Sequence, residues 1–194
     1  VRSGKSTFIK KFIESSVMPN IENEYDRNRT RDELPQSAGG RTVMTTEPKF
    51  VPDEAVTITV GESAKMRVKM IDCVGYMIPE AISKNENGEM RMVHTPWSDE
   101  PVPFDVAAET GTSKVIKEHS TIGILVTTDG TIGDIPRDSF VAAEERVAAE
   151  LREIGKPFAV IINTADPSKE EAEALAEELE AKYKAPIALV NCLE

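Results

Sequence analysis

The chain has 194 residues, of which 40% are apolar and only 5% aromatic, so it is long enough for one domain with a mainly aliphatic core. Charged residues make up 29% and the net charge is −11, which argues against nucleic-acid binding and against anchoring through a basic patch, both of which use clustered Lys and Arg. No apolar run is long enough to cross a bilayer, so no transmembrane segment is expected. Cys73 and Cys192 form no disulfide framework and have no zinc spacing, which points to a reducing, cytoplasmic compartment.

In chain order, Phe8, Ile9, Phe12 and Ile13 recur at helical spacing and predict a helix from about Lys5. The polar stretch from about Pro19 to Pro52 reads as loop. Val56–Val60 and Met66–Ile71 alternate with period two around Gly61-Glu62-Ser63, which predicts a hairpin. From Gly75 to about Ser120 the chain is rich in prolines and irregular, with helix expected over Asp105–Glu118. Ile122–Val126 and Phe158–Ile162 are short apolar runs of the kind that form buried parallel strands. Between them Phe140, Ala143, Val147, Leu151 and Ile154 mark a helix face. Ser168 and Glu171 have capping-box spacing before a helix with Ala172, Leu175, Ala176, Leu179 and Tyr183 on one face. Ile187–Val190 is a last strand. Strand–helix alternation in this half predicts a parallel sheet with helices on both faces.

Four motifs carry chemistry. Gly4-Lys5-Ser6 matches the second half of G-x-x-x-x-G-K-[ST], whose first glycine would fall ahead of Val1. The bare triplet occurs by chance in about one chain in ten of this length, but here it opens a helix, where exposed N–H groups favour an anion. Ser3, Gly4, Lys5, Ser6 and Thr7 are therefore candidate nucleotide-binding residues, with Lys5 on the β- and γ-phosphates and the Ser6 hydroxyl on Mg²⁺. Asp72-Cys73-Val74-Gly75 follows a strand directly and fits D-x-x-G: Asp72 toward Mg²⁺ and the Gly75 N–H toward a γ-phosphate. Thr45-Thr46, just before the hairpin, fits the threonine that completes a Mg²⁺ shell. Asn163-Thr164-Ala165-Asp166 follows a buried strand where GTPases place N-K-x-D. Thr164 stands in place of the lysine that stacks on guanine, and a plain helix-opening turn explains the same residues equally well.

Tyr76 occupies the position after D-x-x-G where a glutamine often orients the attacking water. Hydrolysis must then use another water-positioning group, for which Thr45 or Thr46 is the best candidate, or be slow; Arg2 and Arg41 are candidates to stabilise charge, with surface ion pairing as their competing role. His94 and His119 lack ligand spacing, Trp97 reads as a packing anchor, and the acidic run Glu170–Glu180 as a solvated helix face.

The strings at Arg2–Lys11 (RSGKSTFIKK), Asp32–Ser37 (DELPQS), Met44–Pro52 (MTTEPKFVP), Asp72–Tyr76 (DCVGY), Thr95–Trp97 (TPW) and Glu118–Asp134 (EHSTIGILVTTDGTIGD) resemble the stage IV sporulation protein A family of spore-forming bacteria, over nearly the whole chain. The resemblance implies a GTPase-like P-loop protein that uses ATP and Mg²⁺. It also implies a cytoskeletal role: hydrolysis drives self-association into a polymer, the basement layer of the spore coat, on the mother-cell side of the forespore surface. Partners implied are a small amphipathic membrane peptide and other coat proteins. On this resemblance Lys5 is the phosphate-loop lysine, Asp72 the Mg²⁺-associated aspartate, and Thr45 and Thr46 the paired sensor threonines needed for hydrolysis.

The expected fold is thus an α/β P-loop NTPase, residues 1–194 forming the nucleotide-binding domain. Its mostly parallel sheet is flanked by helices and has one antiparallel edge from the hairpin. A first strand is expected ahead of Val1, and a closing helix and further domains after Glu194. The segments 19–53 and 76–118 are candidate switch regions. The expected activity is ATP hydrolysis. A regulatory GTPase-like switch, or a structural protein using nucleotide only as a folding cofactor, remain open as alternatives.

Overall fold

The computed structural model describes residues 2–35, 47–61, 63–81 and 90–193. The chain divides into two compact units. A hairpin unit comprises Lys5–Gly40 and Pro48–Asp72, and a sheet unit comprises Val1–Gly4, Arg41–Glu47 and Cys73–Glu194.

In the hairpin unit, α1 (Lys5–Phe12) runs on through a π turn over Ile13–Val17 and a short 3-10 turn over Met18–Asn20. Ile9 and Ile13 point inward, while Phe8 and Phe12 stack at 5.8 Å along the flank. Pro19 opens the last turn and has no N–H with which to extend an α-helix. Next comes α2 (Glu24–Asp32), in a stretch whose polarity predicted loop. It has no apolar stripe to reveal it. Its stability comes from a cap and local pairing: Asn23 Oδ1 accepts from the N–H groups of Tyr25 (2.9 Å) and Asp26 (3.2 Å), and Arg29 pairs with Asp26 and Glu54. β1 (Lys49–Val60) and β2 (Ala64–Asp72) form the expected hairpin, with Ile58 opposite Met66, Lys49 opposite Asp72, and a register shift between Val51 and Val56. Val51, Val56 and Ile58 pack with Ile9, Ile13, Val17, Met18 and Ile21 into the core of this unit.

The sheet unit opens with a second hairpin, β3 (Met92–Thr95) and β4 (Ser98–Pro103), which the prolines had concealed. α3 (Phe104–Lys114) follows and continues through a π turn over Val115–His119. Then β5 (Gly123–Thr128), α4 (Asp138–Glu153), β6 (Phe158–Asn163), α5 (Glu170–Tyr183) and β7 (Ile187–Val190) alternate as expected. The three strands are parallel, in order β5-β6-β7, with Gly123 opposite Phe158 and Val160 opposite Ile187. Val160 and Ile162 join Leu125, Ala148, Leu179 and Tyr183 in the main core. A Cβ on Gly123 would lie 2.8 Å from both Leu151 methyl groups on α4, so a larger residue there would require that side chain to shift.

Two expectations are corrected. Among the described residues the hairpin is not an edge of the parallel sheet. β1 and β2 exchange ladder bonds with each other as a two-stranded sheet, and their apolar face is covered by α1 and the turns after it. The capping box before α5 does not form either. Lys169 is the N-cap and gives no side-chain cap, because the Ser168 N–H and hydroxyl both turn back to Asp166 Oδ1, at 3.0 and 2.7 Å.

One buried charge ties α4 to α5. Glu144 is 4% exposed, pairs with Arg137 at 2.9 Å and accepts the Tyr183 hydroxyl at 2.6 Å. Burial, reinforced by the Glu144 carboxylate, pushes the Tyr183 phenol well above its ordinary range. Glu144→Ala strands the Arg137 guanidinium and the phenol, and should cost about 3 kcal/mol in urea unfolding. Glu144→Gln keeps an acceptor for Tyr183 and should cost less.

Candidate functional site

The candidate phosphate-loop residues are divided between the two units, Ser3 and Gly4 in the sheet unit and Lys5, Ser6 and Thr7 in the hairpin unit. Arg2 (φ 59°) and Gly4 (φ 93°) are both left-handed, and α1 begins on the next residue, Lys5. Left-handed residues in such a turn are characteristic of anion-binding backbone nests. The first N–H groups of α1 lack carbonyl partners within the helix, and its dipole favours negative charge there. Lys5, Ser6 and Thr7 are half-buried in the first turn. No ion pair among the described residues engages Lys5 or Asp72. These residues fit a phosphate group accompanied by Mg²⁺, a hard cation commonly held by one or two carboxylates, waters and the phosphates themselves.

Asn163, at the end of β6, holds the entry to this loop. It is 2% exposed. Its Nδ2 donates to the Ser3 carbonyl at 3.2 Å, and its Oδ1 accepts the Cys192 N–H at 3.1 Å. A Cβ on Gly4 would fall 2.4 Å from Asn163 Nδ2, so only glycine fits against this amide. Within the sheet unit the structure thus brings Ser3, Gly4 and Asn163 together. Both ends of the Asn163 side chain are engaged in positioning backbone.

Asp72 closes β2 opposite Lys49 and is half-buried, and the chain returns to the sheet unit at Cys73. Gly75 has φ 84°, and its N–H is donated to Thr112 Oγ1 on α3 at 3.0 Å. Tyr76 is 2% exposed and packs with Ile116 and Leu151. Its hydroxyl donates to Glu150, and the Arg146 guanidinium lies 4.0 Å from its ring centre. Burial first, then the Glu150 carboxylate, pushes the phenol far above its usual range. Tyr76 is a buried anchor.

A polar cluster sits at the carboxyl ends of β5 and β6. Asp129 accepts the Thr131 N–H (2.9 Å), the Thr131 hydroxyl (2.6 Å) and the Thr164 hydroxyl (2.6 Å). Partial burial opposes ionisation of Asp129, but these hydrogen bonds prevail and hold its carboxyl below the ordinary value. Thr164, in the lysine position of N-K-x-D, is buried and turned to Asp129. Hydrogen bonds from Ser168 likewise lower the Asp166 carboxyl, and both go to Oδ1. Asp129 was within reach of sequence reasoning, since ligands of parallel sheets gather at strand carboxyl ends. Thr112 and Glu150 were not, because only the packing of α3 and α4 brings them to the D-x-x-G segment.

Thr45, Thr46 and Arg41 lie outside the described residues. Arg2 is exposed, and His94 and His119 are exposed and far apart in sequence. Trp97 is half-buried, with the Lys114 ammonium 5.8 Å from its ring centre. No helix of the described residues is long and apolar enough to cross a membrane.

The family described as stage IV sporulation protein A, ATPase domain, matches residues 1–194. The stage IV sporulation protein A of Bacillus anthracis is 58% identical over 187 residues, covering 96% of this chain and 38% of that protein. The protein of the same name from Bacillus subtilis (strain 168) is 55% identical over 187 residues, covering 96% of this chain and 38% of its own length. The one from Clostridioides difficile (strain 630) is 53% identical over 194 residues, covering 100% of this chain and 40% of its own length. The chain therefore spans about two fifths of the length of the curated relatives it matches. No solved structure matches it.

Asn163→Ala leaves the Cys192 N–H and the Ser3 carbonyl without partners, and should cost about 2 kcal/mol in chemical unfolding. The Cys192 thiol is buried, and burial raises it from 9.0 to about 11. Because the thiolate is the disfavoured form, the stability held through Cys192 is complete below about pH 9 and is lost as pH rises toward 11. Iodoacetamide at pH 8 should accordingly leave Cys192 unlabelled in the folded chain and label it in urea, as peptide mass spectrometry would show.

Proposed function

This chain belongs to the stage IV sporulation protein A ATPase-domain family, and on that premise we propose that it is a P-loop ATPase whose substrate is Mg·ATP. One observation carries the reading: the chain turns through two left-handed residues and opens a helix at Lys5, inside a G-K-S triplet. The proposed reaction is in-line attack of water on the γ-phosphorus, breaking its bond to the bridging oxygen and releasing ADP and phosphate. Lys5 and the first amides of α1 bind and neutralise phosphate oxygens. Ser6, Thr46 and Asp72 would hold Mg²⁺, Asp72 by way of a water. The ion would supply charge neutralisation to the phosphates. The Gly75 N–H reads the γ-phosphate, and Thr45 or Thr46 positions the attacking water.

Adenine rather than guanine is supported by the base-side turn. Guanine recognition by N-K-x-D uses both carboxylate oxygens of the aspartate, whereas Ser168 occupies Asp166 Oδ1 with two hydrogen bonds. The lysine stem that would stack on the base is replaced by the buried Thr164. The likeness to proteins named for sporulation supports a wider role. Within the longer protein, hydrolysis would drive assembly of a polymeric basement layer of the spore coat, at the mother-cell face of the forespore.

The test is turnover by the full-length protein with Mg·ATP and Mg·GTP in parallel, beside Lys5→Ala. ATP should be preferred, and Lys5→Ala should lower kcat/KM by 100-fold or more, on the order of the 3 kcal/mol typical of one lost charge-stabilising contact. A preference for GTP that vanishes in Asp166→Ala would instead establish the switch-GTPase reading. Undiminished turnover in Lys5→Ala would overturn the phosphate-loop assignment.

A further inference from the structure

The N–H that the D-x-x-G motif offers to a γ-phosphate already has an acceptor inside the protein. Gly75 donates to Thr112 Oγ1 at 3.0 Å, and the same hydroxyl donates to the Ala108 carbonyl at 2.8 Å. That second bond fixes the hydroxyl proton along α3 and leaves the oxygen lone pairs facing Gly75. Thr112 is 3% exposed, on the small-residue face of α3 formed with Ala107, Ala108 and Gly111, so water does not readily replace it.

The next residue cannot follow Gly75 if its amide turns. Tyr76 is 2% exposed, hydrogen-bonded to Glu150 and covered by Arg146, which pairs in turn with Glu109 on α3 at 2.8 Å. Gly75, at φ 84°, is therefore the pivot between a held Tyr76 and the Asp72 end of the motif. We infer that Thr112 is a positioning residue that sets discrimination between nucleoside triphosphate and diphosphate, by holding the Gly75 N–H against a γ-phosphate oxygen that must displace it. This inference rests on the Mg·ATP reading above and deepens it. One N–H serves one strong acceptor at a time, so a γ-phosphate competes with Thr112 for it. A diphosphate has no γ-oxygen and leaves the bond intact. The exchange also releases Thr112 from the D-x-x-G segment, so α3 is the element that senses the difference.

The test measures binding of Mg·ATPγS and Mg·ADP by the full-length protein and by Thr112→Val and Thr112→Ser. Removing the acceptor with valine should raise the ATPγS affinity by about two- to tenfold, the worth of one net hydrogen bond, and leave ADP affinity unchanged. Serine keeps the acceptor and should restore the original ratio. An unchanged ratio in Thr112→Val, or the same change in both affinities, overturns the inference. Should the valine variant fail to fold, the less crowded Thr112→Ala carries the same comparison. In the unsubstituted protein, hydrogen exchange over 104–119 should rise with Mg·ATPγS relative to Mg·ADP, and equal protection with both also overturns the inference. Failure of the ATPase reading itself looks different: neither nucleotide binds to the unsubstituted protein.

Discussion

A single buried amide holds the backbone at Ser3 and Gly4 against the end of a central strand. Asn163 sits at the end of the central strand, β6, and is bonded on one side to the Ser3 carbonyl and on the other to the Cys192 N–H. A buried amide without those partners would carry a desolvation cost of about 1–3 kcal/mol for each unmade bond. The two loops are therefore held to the strand by a penalty as well as by an attraction. The approach leaves no room for a Cβ at Gly4, and Gly4 in turn supplies the left-handed backbone from which α1 starts at Lys5. A strand terminus and a glycine meet at one side chain.

The segment after D-x-x-G follows a different logic. Gly75, at φ 84°, donates its N–H to Thr112, and Tyr76 is buried among Ile116 and Leu151 and bound to α4 through Glu150 and Arg146. Arg146 also reaches Glu109 on α3, so one cation links two helices around an aromatic ring. The residue after the D-x-x-G segment is thus an anchored aromatic.

Charge is handled differently at the surface and in the core. The net charge of −11 resides largely on solvated faces such as that of α5, whose first turn holds Glu170, Glu171 and Glu173 near the positive end of the helix dipole. Where a carboxylate is buried it has assigned partners, as Glu144 has Arg137 and Tyr183. Asp129 is held by three hydrogen bonds from threonines that lie in two different loops. That cluster places polar groups at the carboxyl end of a parallel sheet, where α/β folds gather their ligands.

The sequence by itself determined the α1 start at Lys5, the β1–β2 hairpin, the parallel β5-β6-β7 half and the family, because each leaves a local signal. Those signals are a glycine before an apolar helical face, period-two alternation, short aliphatic runs between helices, and long shared strings. It could not reveal α2, which has no apolar stripe and depends on the Asn23 cap and on Arg29 reaching Glu54 across the unit. Nor could it reveal β3 and β4, whose prolines read as loop although they pair with each other. The capping box at Ser168 was a true local pattern overridden by a nearer acceptor, Asp166. Candidate site residues were proposed from motifs of fixed spacing, as in Gly4-Lys5-Ser6 and Asp72–Gly75. The roles of Asn163, Thr112 and Glu150 were decided only by tertiary structure, since their hydrogen-bond partners lie 29 to 160 residues away in the chain. A side-chain amide or hydroxyl shows no preference among such partners until packing removes water and leaves one of them within reach.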